Sequence, residues 1–302
     1  MMNKKIKVMQ LTANLGMGGL ERVVINLCKH MNHDVFDVSV CCIKYKGKLA
    51  YELEGTGVPV YILQQTDKKK DYTAFWRLKK ILSEKKPHLV HTHNANSFID
   101  GALASYLARI PVLINTDHAR KFPGRWTERV LEAVLSRSAD RFIAVSEETK
   151  QNLMLYEKIP ERKINVIRNG IDGKVYDIVI DVQKKKEELG LLEYDHLIGL
   201  GVRLTQQKGI AHLIEAAPKI LSHFPNTGFV VAGKGVLQQS LIALAAQLGV
   251  SNHFHFIGPR LDLPEILQVL DSTFRNELAR TTLHPEIDYK ITVAPVEPTR
   301  LG

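Results

Sequence analysis

Two basic residues five positions apart pose the first chemical question. Arg203 and Lys208 lie in Gly201-Val202-Arg203-Leu204-Thr205-Gln206-Gln207-Lys208-Gly209. An apolar run, residues 197–200, precedes them. An amphipathic pattern (Ile210, Leu213, Ile214, Ala217, Ile220, Leu221) comes after them. That order predicts a buried strand, a short loop and a helix. Oriented N–H groups at a helix start, joined by Arg and Lys, suit a diphosphate. A solvated basic turn has the same composition, so this pattern alone leaves both readings open. A second glycine loop, Gly16-Met17-Gly18-Gly19-Leu20-Glu21, also stands ahead of a helical pattern. Gly18 and Gly19 would let backbone approach phosphate groups there. A dinucleotide fingerprint would need a third glycine where Glu21 stands. It would also need an acid after the second strand, which ends at Ile43-Lys44.

His118 comes after an expected strand over residues 112–116, at the end where a parallel sheet binds ligands. His91 and His93 alternate along another expected strand and so share a face. Two histidines make a poor metal site, and a structural or cleft-lining role is the expectation for both. His253 and His255 take the same reading. With no CxxC or Cys/His zinc spacing, no metal is expected. Directly after His118 runs Ala119-Arg120-Lys121-Phe122-Pro123-Gly124-Arg125-Trp126. Arg120, Lys121, Arg125 and Trp126 are candidates for holding an anionic, lipid-linked or phosphorylated ligand. A surface loop anchored by Trp126 is the plainer alternative.

These groups need a frame. The first half alternates strand and helix patterns: strands over 5–12, 36–43, 58–62, 89–93, 112–116, 141–145 and 164–167. Helices are expected over 20–30, 72–83, 97–108, 127–136 and 147–156. Such alternation with short connections indicates a doubly wound parallel sheet. The pattern breaks over residues 173–194, read as an interdomain connection. It resumes with strands over 197–200, 228–232 and 253–257, and helices over 210–223, 236–248 and 264–270. Two domains are expected, over 1–172 and 195–271, since single cores rarely grow past about 250–300 residues.

Composition narrows the classes. The chain has 302 residues, 45% of them hydrophobic, and a formal net charge of +9. No apolar stretch approaches the roughly 20 residues of a membrane span, and residues 6–13 read as a first strand rather than a signal peptide. Three cysteines, with Cys41 and Cys42 adjacent, argue against a disulfide framework and for a reducing cytoplasm. No nucleic-acid motif accompanies the positive charge. The densest basic cluster is Lys68-Lys69-Lys70, Arg77, Lys79-Lys80 and Lys85-Lys86. A helix there would bury Phe75, Leu78 and Leu82 and leave its charged face solvated. Docking on the anionic inner membrane face is the functional alternative.

The Arg203–Lys208 segment resembles the V-G-R-L-x-x-Q-K-G signature of family 4 retaining glycosyltransferases. Gly18-Gly19-Leu20-Glu21 resembles their G-G-x-E loop, and His91-Thr92-His93 their H-x-H. Val145-Ser146 and Asn169-Gly170-Ile171-Asp172 resemble their V-S and N-G-I/V-D motifs. The motifs fall in family order from about residue 5 to about residue 271. The resemblance implies the GT-B fold, two Rossmann-like domains. It implies a UDP- or GDP-linked sugar donor, no cofactor, and a saccharide or lipid-linked saccharide acceptor in bacterial surface or exopolysaccharide synthesis. It gives Gly18, Gly19, Arg203 and Lys208 to the donor diphosphate. It gives His118 to sugar contact and charge stabilisation beside a front-face attack. Val202 departs from the family's small residue and would crowd the donor.

After Asp271 the resemblance stops. Glu277 and Glu286 are nine apart, where the family has E-x₇-E, and residues 272–302 read as an atypical irregular tail. A truncated or frameshifted product, with an incomplete second domain, is the expectation. The rival readings are an inactive remnant and an epimerase-like relative acting on nucleotide sugar alone. An NAD oxidoreductase stands behind both.

Overall fold

The computed structural model describes residues 5–63, 73–118, 126–170, 173, 176–275 and 292–295. The chain divides into two units, Met1–Ile171 and Asp172–Gly302.

The first unit alternates strand and helix. Its strands are β1 (Ile6–Asn14), β2 (Phe36–Tyr45), β3 (Val60–Ile62), β4 (Leu89–His93), β5 (Val112–Asp117), β6 (Arg141–Ala144) and β7 (Ile164–Val166). Between them run α1 (Gly19–His30), α2 (Ala74–Lys85), α3 (Asn94–Ala108), α4 (Trp126–Leu135) and α5 (Glu147–Glu157). The seven strands pair in the order β3-β2-β1-β4-β5-β6-β7, all parallel. Strand order reverses between β1 and β4. That is the topological switch point, where loops leaving two neighbouring strands diverge and open a crevice. One core face gathers Leu11, Val90, Phe98, Leu113 and Phe142 with Leu78 and Leu82 of α2. The other gathers Val24, Ile25, Val38, Val40 and Leu53. Cys28, Cys41 and Cys42 are free thiols in these cores, and burial pushes each up to about 12.

On α2, Leu78 and Leu82 are buried, Phe75 is half-buried, and Lys80 and Lys85 are exposed. Helix α3 starts three residues ahead of the expected 97, directly at the end of β4, with Asn94 at φ 64°. A 3-10 turn over Lys48–Leu53, unread in the sequence, plugs the end of β2 with Leu49, Ala50 and Leu53. Ser146 of the V-S pair acts locally. Its Oγ accepts the Thr149 N–H at 3.1 Å and caps α5.

The second unit holds α6 (Val182–Glu188), β8 (His196–Gly201), α7 (Ile210–His223), β9 (Thr227–Ala232), α8 (Gln238–Gln247), β10 (Phe254–Gly258), α9 (Leu263–Gln268), β11 (Ser272–Arg275) and β12 (Thr292–Pro295). The sheet order is β10-β9-β8-β11-β12, five strands against seven in the first unit. Residues 272–275 and 292–295 are therefore strands rather than part of an irregular tail. β11 runs parallel to β8, and β12 pairs antiparallel on its far side. Glu277 and Glu286 lie outside the described residues.

The 173–194 segment is no free connection either, because much of it packs within the second unit. Leu191 and Tyr194 sit in a core with Leu197, Val230, Ile266 and Leu270. The ammonium of Lys185 is buried and reaches Asp262 at 2.6 Å, Glu265 at 2.7 Å and Glu188 at 2.8 Å. Arg260 binds Asp262 and Glu188 from the other side. The Arg260 and Lys185 hydrogen bonds hold the Asp262 carboxyl well below its usual range. The stabilisation is thus full above pH ~4 and lost only as pH falls through that depressed value. Lys185→Ala takes a donor from three carboxylates, two of which keep Arg260, and should cost about 2 kcal/mol at pH 7. Hydrogen exchange of β8 and β9 amides, with and without the substitution at pH 7, checks this.

Candidate functional site

At the switch point of the first sheet three imidazoles are packed together. His91 and His93 project from one face of β4, their ring centroids 4.3 Å apart. His118 stands just past β5, its ring 5.4 Å from that of His93. All three are buried. They are joined by short polar contacts. His93 Nδ1 is 3.1 Å from His118 Nε2, and His93 Nε2 is 2.8 Å from Gln10 Oε1 on β1. His91 Nε2 is 2.7 Å from Thr116 Oγ1. The His118 N–H donates to Asn94 Oδ1 at 2.7 Å. A non-glycine residue at positive φ costs energy, and here it places that carbonyl under His118.

The cluster is uncharged at neutral pH. Burial, then the neighbouring His118, pushes His91 down to about 3. Burial pushes His118 down to about 4, and holds His93 well below its ordinary value, aided by both neighbours. Family resemblance implies two roles for His118, sugar contact and charge stabilisation. A neutral imidazole retains the first and cannot perform the second as a cation. His118 Nδ1 is buried and has no hydrogen-bond partner among the described residues. It is a buried polar atom without a partner just past the end of a strand.

Close by in sequence, Asp117, Glu132 and Glu157 bring buried carboxylate oxygens within 4.8 Å of one another. Each of the three takes part in an interaction. Of the basic aromatic loop, Arg120, Lys121 and Arg125 lie outside the described residues. Trp126 opens α4 and is 73% exposed.

The first glycine loop leaves β1 on the same edge of the sheet. Gly18 is the extended N-cap of α1, and no side chain bonds the first N–H groups. Gly19 is exposed, with nothing within 4 Å of where a Cβ would stand. Glu21 sits in the first turn and shares its positive end. The loop is held from behind by a residue that sequence reasoning passed over. Gly47, at φ 77°, lies so close that a Cβ would stand 2.1 Å from the Leu15 carbonyl carbon.

In the second unit, Arg203 and Lys208 leave the end of β8 and are both exposed. Neither has an ion-pair partner among the described residues. Residues 206–208 form a 3-10 turn, and Gly209 at φ 62° starts α7. Two backbone bonds stitch this loop to the next one: Val202 N–H to Ala232 O at 2.9 Å and Leu204 N–H to Lys234 O at 3.1 Å. The fit permits no side chain. A Cβ on Gly233, at φ 146°, would stand 1.9 Å from Val202 O, and one on Gly235 would stand 2.1 Å from Leu204 O. Lys234, between those glycines, is a third exposed cation at this edge. Sequence reasoning missed it, although G-x-G directly after an apolar strand is the signal that marks it.

Comparison with known proteins agrees with this fold. Residues 17–174 match the family model of Glycosyltransferase Family 4, and residues 181–274 match that of Glycosyl transferases group 1. A UDP-Gal:alpha-D-GlcNAc-diphosphoundecaprenol alpha-1,3-galactosyltransferase of Escherichia coli is 26% identical over 282 residues, 89% of this chain and 73% of that protein. An uncharacterised glycosyltransferase of Methanocaldococcus jannaschii is 30% identical over 188 residues, 59% of this chain and 48% of that protein. Among solved structures, Anabaena HepE in complex with UDP and glucose superposes with TM-score 0.76 at 22% identity, over 90% of this chain and 74% of that one.

The histidine cluster makes the first unit acid-labile. Folded values below the free-imidazole value of about 6.5 mean that the unfolded chain binds protons the folded one refuses. Stability is therefore full above pH ~6.5 and falls as pH drops toward the folded values. Between pH 5 and 6 the slope should correspond to roughly two to three protons, and His91→Gln should remove about one. Both tryptophans, Trp76 and Trp126, belong to the first unit. Denaturant titrations followed by tryptophan emission at several pH values measure the slope.

Proposed function

Because the chain belongs to the Glycosyltransferase Family 4 and group 1 glycosyltransferases, we propose that it moves a hexose from a UDP- or GDP-linked donor to a lipid-linked saccharide in bacterial surface or exopolysaccharide synthesis. The observation that carries this reading is the pair of exposed cations without acidic partners, Arg203 and Lys208, at the head of α7. Surface Lys and Arg often have a carboxylate neighbour. Two that have none, aimed with a helix start, are poised for an anion. In support, the E. coli relative carries a UDP-sugar and a diphosphoundecaprenol in its name. The HepE structure holds UDP and glucose.

The chemistry stems from charge. As the glycosidic bond to phosphate breaks, negative charge grows on the departing diphosphate. Arg203 grips it in a fork and Lys208 meets it as a point charge. With protein cations neutralising that charge, the transfer runs without a metal. The acceptor hydroxyl attacks on the face the diphosphate leaves, so configuration is retained. Its proton passes to the departing phosphate oxygen. His118 Nδ1, a lone pair in a buried setting, accepts a hydroxyl of the transferred sugar.

Thermal stabilisation by a panel of UDP-, GDP- and ADP-sugars tests the donor. One base should raise the melting temperature, and Arg203→Ala or Lys208→Ala should abolish the rise. Each should lower transfer to a lipid-linked acceptor by about 10²–10³-fold. Stabilisation by none of the panel would overturn the reading.

The acceptor side has its own support. Trp126, Val130 and Val134 form an exposed stripe at helical spacing along α4, with Leu131 beside it. Among the described residues no helix is long and apolar enough to cross a membrane. A stripe of this kind, next to Arg120, Lys121 and Arg125 in sequence, suits the surface of an anionic bilayer and the lipid of the acceptor. Arg120→Ala with Arg125→Ala should raise the acceptor KM several-fold and leave the donor KM unchanged. Trp126→Ala with Val134→Ser should reduce flotation with anionic vesicles. Unchanged acceptor KM and flotation would remove this part.

A further inference from the structure

Gln10 is buried on β1, 1% exposed, at the register position opposite His91 of β4. Its Oε1 lies 2.8 Å from His93 Nε2, and its Nε2 lies 3.9 Å from Met31 Sδ. The opposite setting would turn the carbonyl oxygen toward a thioether that has no proton to give. The amide oxygen therefore faces the histidine, and this orientation sets every proton along the chain of rings. His93 Nε2 carries a proton and donates it to Gln10 Oε1. A neutral imidazole has one ring proton, so His93 Nδ1 is a lone pair. It accepts the Nε2–H of His118 at 3.1 Å. The remaining nitrogen, His118 Nδ1, is then a lone pair as well, and it is the atom with no partner among the described residues.

We infer that Gln10 is a positioning residue which, acting through His93, locks His118 in the Nε2–H tautomer so that its buried, unpartnered nitrogen is an acceptor for a ligand hydroxyl rather than a donor. The other proton order, with the amide donating to His93, would make His118 Nδ1 a donor suited to a carbonyl or an anion. One buried amide thus selects the class of group the site takes. Asn94 Oδ1 accepts the backbone N–H of His118 at 2.7 Å, which fixes the main chain that carries the ring. Depression of all three imidazoles keeps the chain of protons single at neutral pH. Naming the hydroxyl as one of a transferred sugar rests on the proposed glycosyltransfer. The tautomer does not.

Long-range ¹H–¹⁵N spectra of the imidazole nitrogens in the full chain without ligand decide the point. His93→Gln and His118→Gln assign the resonances. The wild type should show His118 protonated on Nε2 alone. Gln10→Leu should mix the two His118 tautomers, and Gln10→Glu, which restores an acceptor oxygen, should return the single form. A wild-type His118 carrying its proton on Nδ1 would overturn the inference even where Gln10→Leu does not fold. An unchanged spectrum in a folded Gln10→Leu would overturn it too. In a donor series with single hydroxyls removed, one deoxy donor should bind about tenfold more weakly to the wild type and equally to Gln10→Leu. Failure of every nucleotide sugar to bind, with the tautomer as stated, would count against glycosyltransfer and leave the role of Gln10 intact.

Discussion

The strands of the first sheet all run the same way, and the chemistry of the unit depends on that constraint. A parallel ladder sends every strand's carboxyl end to one edge, and crossover helices then carry the chain back to start the next strand. Groups distant in sequence therefore collect on one rim. Gln10 on β1, His93 ending β4 and His118 after β5 meet there across gaps of 83 and 25 residues. The glycine loop before α1 leaves from the same rim. At β1 and β4 the order of strands reverses, so the loops above them part rather than pack. A buried polar atom can stay open there without a neighbour to fill it.

Keeping three imidazoles buried has a physical requirement, because an unpaired polar group in a dry setting costs a few kcal/mol. The structure meets it with single-proton hydrogen bonds rather than with charge. Thr116 serves His91, Gln10 serves His93, and His93 serves His118. Protonating any one would put a cation against another ring, and so the neighbouring rings add to the depression that burial begins. From sequence, a structural or cleft-lining role is the expectation for His91 and His93. Their contacts place both rings in one buried network, in which His93 bonds His118.

Most of the frame was legible from period alone. Short alternating or apolar runs fell between helical patterns, and tertiary packing did not override them. Arg203 and Lys208 were legible because they stand between a strand signal and a helix signal. The residues that escaped are those whose role exists only across space. Nothing in its sequence context singles out Gln10 until His93 is beside it. Gly47 and Gly233 gain their meaning only from the carbonyls that a side chain there would strike. Asn94 lies ahead of the helix expected from 97, although α3 begins with it at positive φ. Residues 173–194 read as a connection because their charge pattern shows no core face. The burial there comes from Leu191 and Tyr194 beyond the helix, and from an ion network with Arg260, Asp262 and Glu265 far along the chain.

The candidate groups of the two units differ in electrostatic character, exposed cations in the second and neutral buried imidazoles in the first. Exposed cations bind little in bulk water, where hydration and salt screen them. Arg203, Lys208 and Lys234 therefore require fixed geometry to be selective, and the stitching of their two loops by backbone bonds and close-packed glycines supplies it. A sugar ring carries no charge, so a cation would gain little from it. A neutral lone pair of fixed direction suits a hydroxyl donor instead. A site that left His118 free to exchange tautomers would accept donors and acceptors alike and lose that distinction. The buried amide of Gln10 is the simplest device that removes the choice, since it can present only one of its two faces to His93.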